Sequence, residues 1–314
     1  MKTAAKILAA IVSVLVLLAV AAVASSWEPE RPLAELKARW APPPSTFVQV
    51  QGMEVHLRDE GPRDDPVPIV LLHGTSSSLH TWDGWSEALK SSRRVIRFDL
   101  PGIGLTGAPP DADYRIERYV RFVAAVLDRL GVARFVLAGN SFGGQVAWET
   151  ALAYPGRVEK LILVDAAGYP FQPLSVPLGF RIARIPLLNR VAEYTLPRRL
   201  IEASVRNVYG DPDKVTAQLV DRYFELTLRD GNRRALVERF RQAPAGIHPE
   251  RIPMLKVPTL ILWGGQDRLL PPADAQKFQR DIAGSRLIVF ERLGHVPQEE
   301  DPGATVAAVK SFIS

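Results

Sequence analysis

The sequence predicts an α/β protein: a mostly parallel, eight-stranded sheet covered by helices on both faces, with a helical segment let into it. Three observations carry this. From Phe47 onward, short and almost wholly apolar runs alternate with amphipathic ones, as expected of parallel strands buried between two helical layers. The stretch Arg134–Tyr154 reads RFVLAGNSFGGQVAWETALAY, a strand, a tight turn and a helix, with G-x-S-x-G at Gly139–Gly143. The stretch Tyr169–Ile247 breaks the rhythm, with no clear strand and many helix-like segments.

Composition sets the bounds. A chain of 314 residues, 47% of them hydrophobic, has room for one large core and an insertion. The absence of cysteine excludes a disulfide framework, a thiolate metal site and a cysteine nucleophile. The formal net charge is +5, and the segment from Gly168 to Ala245, with 13 Lys/Arg against 8 Asp/Glu, carries all of it. No basic run is interleaved with aromatics, so nucleic acid is not an expected partner.

Taken in order, residues 1–26 contain an apolar run from Ile7 to Ala24, preceded by Lys2 and Lys6 and interrupted only by Ser13. Its length of about 18 residues suits a transmembrane anchor. Ala22-Val23-Ala24 ahead of Ser25 also has the small residues of a signal-peptide cleavage site, which is the alternative. Lysines before the run and few positive charges after it put the N-terminus in the cytoplasm and the globular part outside, periplasmic or extracellular; a cleaved leader would make the protein secreted. Residues 27–45 form a proline-rich linker, read as an extended spacer with a short helix over Leu33–Trp40.

The sheet region then begins. Phe47–Val50 and Met53–Arg58 predict a hairpin around Gln51-Gly52. Val67–Leu72, Arg94–Phe98, Phe135–Ala138, Val158–Val164, Val257–Trp263 and Arg286–Phe290 predict strands, and Trp82–Leu89, Ile116–Leu130, Ala273–Ile282 and Ala304–Ile313 predict helices. The core is expected over 46–168 and 248–314, with a helical cap over 169–247. Arginines in Leu174–Arg199 are expected on solvated helix faces.

The chemistry starts at Ser141. Gly139 and Gly143 allow a sharp strand-to-helix bend that lifts the Ser141 hydroxyl clear of the sheet, and the following helix aims its free N–H groups at the same spot. A serine hydroxyl needs a base within hydrogen-bond reach, and the base needs an orienting carboxylate. His295, in Leu293-Gly294-His295-Val296-Pro297, lies past the last strand. Asp267, in Gly264-Gly265-Gln266-Asp267, lies past the strand before it. Ser141, Asp267 and His295 therefore gather on the rim formed by the carboxyl ends of parallel strands, where sites in such sheets collect.

With these motifs, and with Leu71-Leu72-His73-Gly74-Thr75 and Asp99-Leu100-Pro101-Gly102-Ile103-Gly104 in the matching strand context, the chain from Phe47 to the C-terminus resembles the α/β-hydrolase family. The resemblance implies the α/β-hydrolase sheet, Ser141 as nucleophile, His295 as general base and then acid, and Asp267 as the carboxylate holding it. It implies an oxyanion hole from the backbone N–H groups of Thr75 and Phe142, and no cofactor. Asp165, at the end of another strand, competes for the acid role. Asp99 is expected to order the Pro101–Gly104 loop and His73 to shape the oxyanion loop. His80 is expected near the pocket, and His56 and His248 at the surface or in packing. No His/Asp/Glu cluster has metal spacing.

Serine at the elbow disfavours the dehalogenases and epoxide hydrolases of the family, which carry aspartate there. The expected reaction is cleavage of a carboxylic ester, or a related acyl bond, through an acyl-enzyme. Meta-cleavage C–C hydrolases share Gly139-Asn140-Ser141 but usually carry an aromatic residue after the histidine, where this chain has Val296. C–C hydrolysis and cofactor-free perhydrolysis are the alternatives, and a non-enzymatic binding module with a dead triad is a third. The anchor, the basic cap and the apolar Leu174–Arg199 stretch together suggest a cap that faces a membrane and admits a lipophilic acyl substrate.

Overall fold

The structure is a computed structural model that describes residues 2–170, 172–185, 188–244 and 246–314. Two helices come first, α1 (Lys2–Ser25) and α2 (Leu33–Trp40). The sheet opens with β1 (Thr46–Val50), β2 (Met53–Glu60) and β3 (Ile69–Leu72), followed by α3 (Asp83–Leu89), β4 (Val95–Phe98) and α4 (Ile116–Arg129). Next come β5 (Phe135–Asn140), α5 (Phe142–Ala153) and β6 (Val158–Val164). Five helices follow before the sheet resumes: α6 (Leu178–Ala183), α7 (Leu188–Ala192), α8 (Arg198–Val208), α9 (Ala217–Thr227) and α10 (Asn232–Gln242). The chain closes with β7 (Thr259–Gly264), α11 (Pro272–Asp281), β8 (Arg286–Phe290), α12 (Pro297–Glu300) and α13 (Pro302–Ile313).

All eight strands form one sheet in the order β1-β2-β4-β3-β5-β6-β7-β8. The opening hairpin pairs antiparallel and the other six strands run parallel. The apolar runs have a simple cause. Successive side chains of a strand point to opposite faces, and both faces are covered. Val70, Leu72, Leu137, Leu161, Leu163, Ile261 and Trp263 join one core with Tyr119 and Phe122 of α4, Trp148 of α5 and Phe278 of α11. Ile69, Leu71, Val136, Ile162, Val164, Leu260 and Leu262 join the other with Trp85 of α3 and Val306 and Val309 of α13. Neither face can carry a polar side chain cheaply.

One expectation needs correction here. The proline-rich segment is a docked strap, not a free spacer: α2 buries Leu36 and Trp40 against Leu105 and Leu226, and the Trp40 indole donates to Glu225 at 2.7 Å. The indole thus finds both apolar cover and an acceptor on the globular body. Of the two places expected for His56, surface or packing, it takes the second: it is fully buried, and its ring bonds Asp99 at 2.8 Å and Ser45 at 2.9 Å. α1 lies outside both cores and exposes its apolar residues, with mean hydropathy 3.1.

Candidate active site

The bend at Ser141 is as tight as the glycines suggest. Ser141 has φ 55° and ψ −118°, a conformation an L-residue adopts only under constraint. A Cβ on Gly139 would strike the backbone of Gly143, and one on Gly143 would strike the carbonyls of Leu72 and His73. The constraint is a backbone crossing that only glycine permits. It also leaves the Phe142 N–H, the first of α5, without an intrahelical acceptor. Among the described residues neither that N–H nor the Thr75 N–H has another partner, so both are free to donate to an oxyanion.

His295 is buried and its Nδ1 lies 2.6 Å from Asp267 Oδ2. Asp267 Oδ1 in turn accepts the backbone N–H groups of Leu269 and Leu270 at 2.8 and 2.9 Å, which fixes the carboxylate and hence the ring. His295 and Ser141 line one cavity. No hydrogen bond joins the hydroxyl to the ring among the described residues, as is common before substrate is bound.

Asp165 stands behind this pair, with φ 42°. Its Oδ1 accepts the Gly264 N–H at 2.9 Å, and its Oδ2 receives no donor, so it can bond the neighbouring Asp267 carboxyl only when it carries a proton itself. Burial, reinforced by the neighbouring Asp267 carboxylate, pushes its pKa well above the usual range. That favours the protonated form of Asp165, and Asp267 is the carboxyl that bonds the histidine. One atom each from Asp165, Asp267 and His295 fall within 4.8 Å of one another, donors that sequence spacing did not group. The short Asp267–His295 bond already engages two of the three with each other.

The other expected residues divide cleanly. Asp99 accepts the N–H groups of Leu79 and Leu105, both at 2.7 Å, and so orders the loop after β4. His73 accepts the Leu100 N–H at 2.9 Å through Nε2 and donates through Nδ1 to the Gly74 carbonyl at 2.8 Å. Burial lowers its pKa and keeps it neutral. His80 does not line the Ser141 cavity. It bonds the Trp40 carbonyl at 2.8 Å beside a separate polar cleft, and burial lowers its pKa to about 3. His248 is partly exposed and pairs with Glu250 at 3.6 Å.

Two residues escaped the sequence reading. Asn140 donates its amide to the carbonyls of Val164 at 3.1 Å and His295 at 2.9 Å, tying the histidine loop to the elbow. Glu300 accepts the N–H groups of Gly294, Gly210 and Asp211 at 2.8, 3.0 and 2.8 Å, pinning the same loop to the end of α8. His295 N–H completes the clamp on the Val208 carbonyl at 2.7 Å.

The cavity over Ser141 and His295 measures about 400 Å³. Its walls come from α6, α7, α8 and α10 and are almost wholly apolar, with Leu178, Ile182, Leu188, Leu200, Val205 and Leu236 among them. A second hollow of about 40 Å³ adjoins Ser141 on the Phe142 side and is bordered by Gln145 and Arg239. Arg239 is buried, with its guanidinium 4.5 Å from the Phe142 ring centre and 4.3 Å from that of Phe240. Burial lowers its pKa to about 10, so it remains a cation beside the backbone that offers one of the two oxyanion donors.

Comparison with known proteins agrees with the fold. The α/β hydrolase fold family matches residues 67–302. A 2-hydroxy-6-oxo-2,4-heptadienoate hydrolase from Pseudomonas putida is 29% identical over 281 residues, covering 85% of this chain and 95% of its own length. The meta-cleavage product hydrolase of Pseudomonas fluorescens IP01 superposes with TM-score 0.73 at 27% identity, covering 85% of this chain and 97% of that one. A bacterial membrane phospholipase A, described as a virulence factor, superposes with TM-score 0.73 at 26% identity over 96% of this chain and 97% of its own. A match of that extent leaves too few residues over to omit the whole of α1. The chain belongs to the α/β hydrolase fold family, and it is a hydrolase.

Proposed function

We propose that this α/β hydrolase cleaves carboxylic esters with a lipophilic acyl group through an acyl-enzyme, using Ser141, His295 and Asp267. One observation carries the reading: the Ser141 hydroxyl opens into a large and almost wholly apolar cavity. Each methylene transferred from water to such a wall contributes about 0.8 kcal/mol, so an acyl chain is the natural occupant. Ser141 Oγ attacks the acyl carbon while His295 Nε2 takes its proton. The Thr75 and Phe142 N–H groups receive the developing oxyanion, and each such donor is worth about 10²–10³ in rate. Collapse expels the alcohol, protonated by His295, and leaves the acyl-enzyme. Water, deprotonated by the same ring, then releases the acid and restores the hydroxyl.

The site of hydrolysis is proposed to lie against a bilayer anchored by α1. Ser26 and Glu28, just beyond α1, exchange backbone hydrogen bonds with Leu196 and Tyr194 of the cap at 3.1 Å each, and the Trp27 ring stacks on Tyr194 with centroids 5.4 Å apart. Leu174, Leu178, Ile185 and Leu188 are exposed in the same part of the chain, and Leu178 and Leu188 also line the cavity. The apolar face supports this orientation better than the cap's charge does: Arg222, Arg233 and Arg239 lie inside the protein, where they cannot attract anionic lipid.

The similarity to a dienoate hydrolase and a meta-cleavage product hydrolase favours a second reading, C–C bond hydrolysis of a vinylogous diketone acid on the same residues. Val296 after His295 speaks against it. A panel of p-nitrophenyl esters from acetyl to dodecanoyl, with a ring-fission dienoate alongside, separates the two. The ester reading expects kcat/KM to rise with chain length, by up to about fourfold per methylene, and to vanish in Ser141→Ala. Preference for acetyl or butyryl esters defeats the lipophilic assignment; faster turnover of the dienoate than of any ester installs the second reading in its place.

A further inference from the structure

The apolar cavity has one charged intruder. Arg233, in the first turn of α10, lines it beside Leu236 and Val237. The residue is only 5% exposed, and its Nε and Nη1 are buried with no hydrogen-bond partner among the described residues. Among the described residues the carboxylates that act on it, Glu30, Glu28 and Glu193, do so through charge alone, without an ion-pair contact. Glu30 is itself taken by the Gly231 N–H at 3.0 Å. A guanidinium in apolar surroundings is costly unless something pairs with it. The buried arginines near it are better provided for: Arg222 is paired with Glu299, and Arg239 rests between two aromatic rings. Among the described residues Arg233 has neither kind of partner.

We infer that Arg233 is a recognition site for an anionic group carried by the substrate, a carboxylate or a phosphate, set apart from the scissile carbonyl at Ser141. The inference rests on the reading of this cavity as the substrate site. A planar guanidinium fork matches the two oxygens of either anion. The substrate would then be an amphiphile: an apolar chain against α6–α8, a reactive carbonyl at Ser141 and one negative group at Arg233.

The test is binding to the Ser141→Ala variant, which keeps the cavity and holds ligands unreacted. Titration calorimetry with decyl phosphate, decanoate and decanol compares one chain with three head groups. Charge-assisted hydrogen bonds of this kind should make the preferred anion bind at least tenfold more tightly than decanol, and the phosphate and carboxylate arms tell which anion is meant. Adding Arg233→Met should abolish the preference, whereas Arg233→Lys, which keeps the charge but not the fork, should retain part of it. Equal binding of decanol and both anions overturns the inference, even if Arg233→Met fails to fold. So does a preference that survives in Arg233→Met. Because no bond is cleaved in these measurements, an anion preference in a protein that hydrolyses no ester would refute the proposed reaction and leave the anion site standing.

Discussion

Two buried aspartates meet behind His295, and their different states decide what each substitution does. Asp267 is fixed by two backbone N–H groups and bonds Nδ1, so Asp267→Asn should misdirect the histidine tautomer and lower kcat by about 10³–10⁴. The pKa of Asp165 is raised by burial and by Asp267, which favours its protonated form. An asparagine there can offer an N–H to Asp267 and its oxygen to Gly264, as the acid does, and Asp165→Asn should leave kcat within about threefold. The sign of its effect on stability follows from linkage. Above the ordinary carboxyl value of 3.8, the unfolded chain has released this proton while the folded chain retains it. Stability then falls as pH rises toward the folded pKa. Urea unfolding between pH 4 and 8 should therefore give a flatter profile for Asp165→Asn than for the wild type; parallel profiles would mean that Asp165 is ionised in the fold.

At the scale of elements, the strap formed by α2 hangs on one carboxylate. Glu225 of α9 accepts the Trp40 indole, pairs with Arg39 and stands 3.5 Å from Arg31. Glu225→Ala would strand the buried indole N–H and release α2 from the cap, at a cost of about 2 kcal/mol; the half-exposed Arg39 keeps its solvent and adds little. Chemical denaturation measures the loss directly, and an unchanged midpoint would show that α2 adds nothing to the fold. Such a docking was not legible in the sequence. The inner strands were, because burial on both faces writes a nearly unbroken apolar run, and the opening hairpin was, from its turn at Gln51-Gly52. Ser141, Asp267 and His295 were also legible, because each follows such a run. Asn140 and Glu300 were not: their acceptors and donors lie in other elements, up to 155 residues away in the chain for Asn140. Arg222, Arg233 and Arg239 lie outside the Leu174–Arg199 stretch whose arginines were expected on solvated faces, and no local pattern marks them as the charged residues that turn inward. Local periodicity reports whether a helix has a polar face. It does not report what that face meets.

For the whole molecule, the question is how α1 and the cavity are coupled. α1 has 24 residues, about 36 Å of helix at 1.5 Å per residue, enough to cross a hydrocarbon layer of about 30 Å. Its lysines precede the apolar run, so the globular body should emerge on the side away from the cytoplasm. An alkaline phosphatase fused after Ser314 should be active, and the membrane fraction should retain a chain that still includes Lys2 and Lys6; soluble protein beginning at Ser25 would replace the anchor with a cleaved leader. Because the first residues past α1 bond Tyr194 and Leu196, an anchored molecule holds its cap near the lipid surface, and the exposed leucines gain by entering it. Liposomes should then raise kcat/KM for dodecanoyl but not acetyl esters. Leu174→Asp combined with Ile185→Asp, neither of which lines the cavity, should remove most of that gain while leaving acetyl ester hydrolysis unchanged. If the doubly charged variant responds to liposomes as the wild type does, the cap does not touch the membrane, and substrate must reach Ser141 through water.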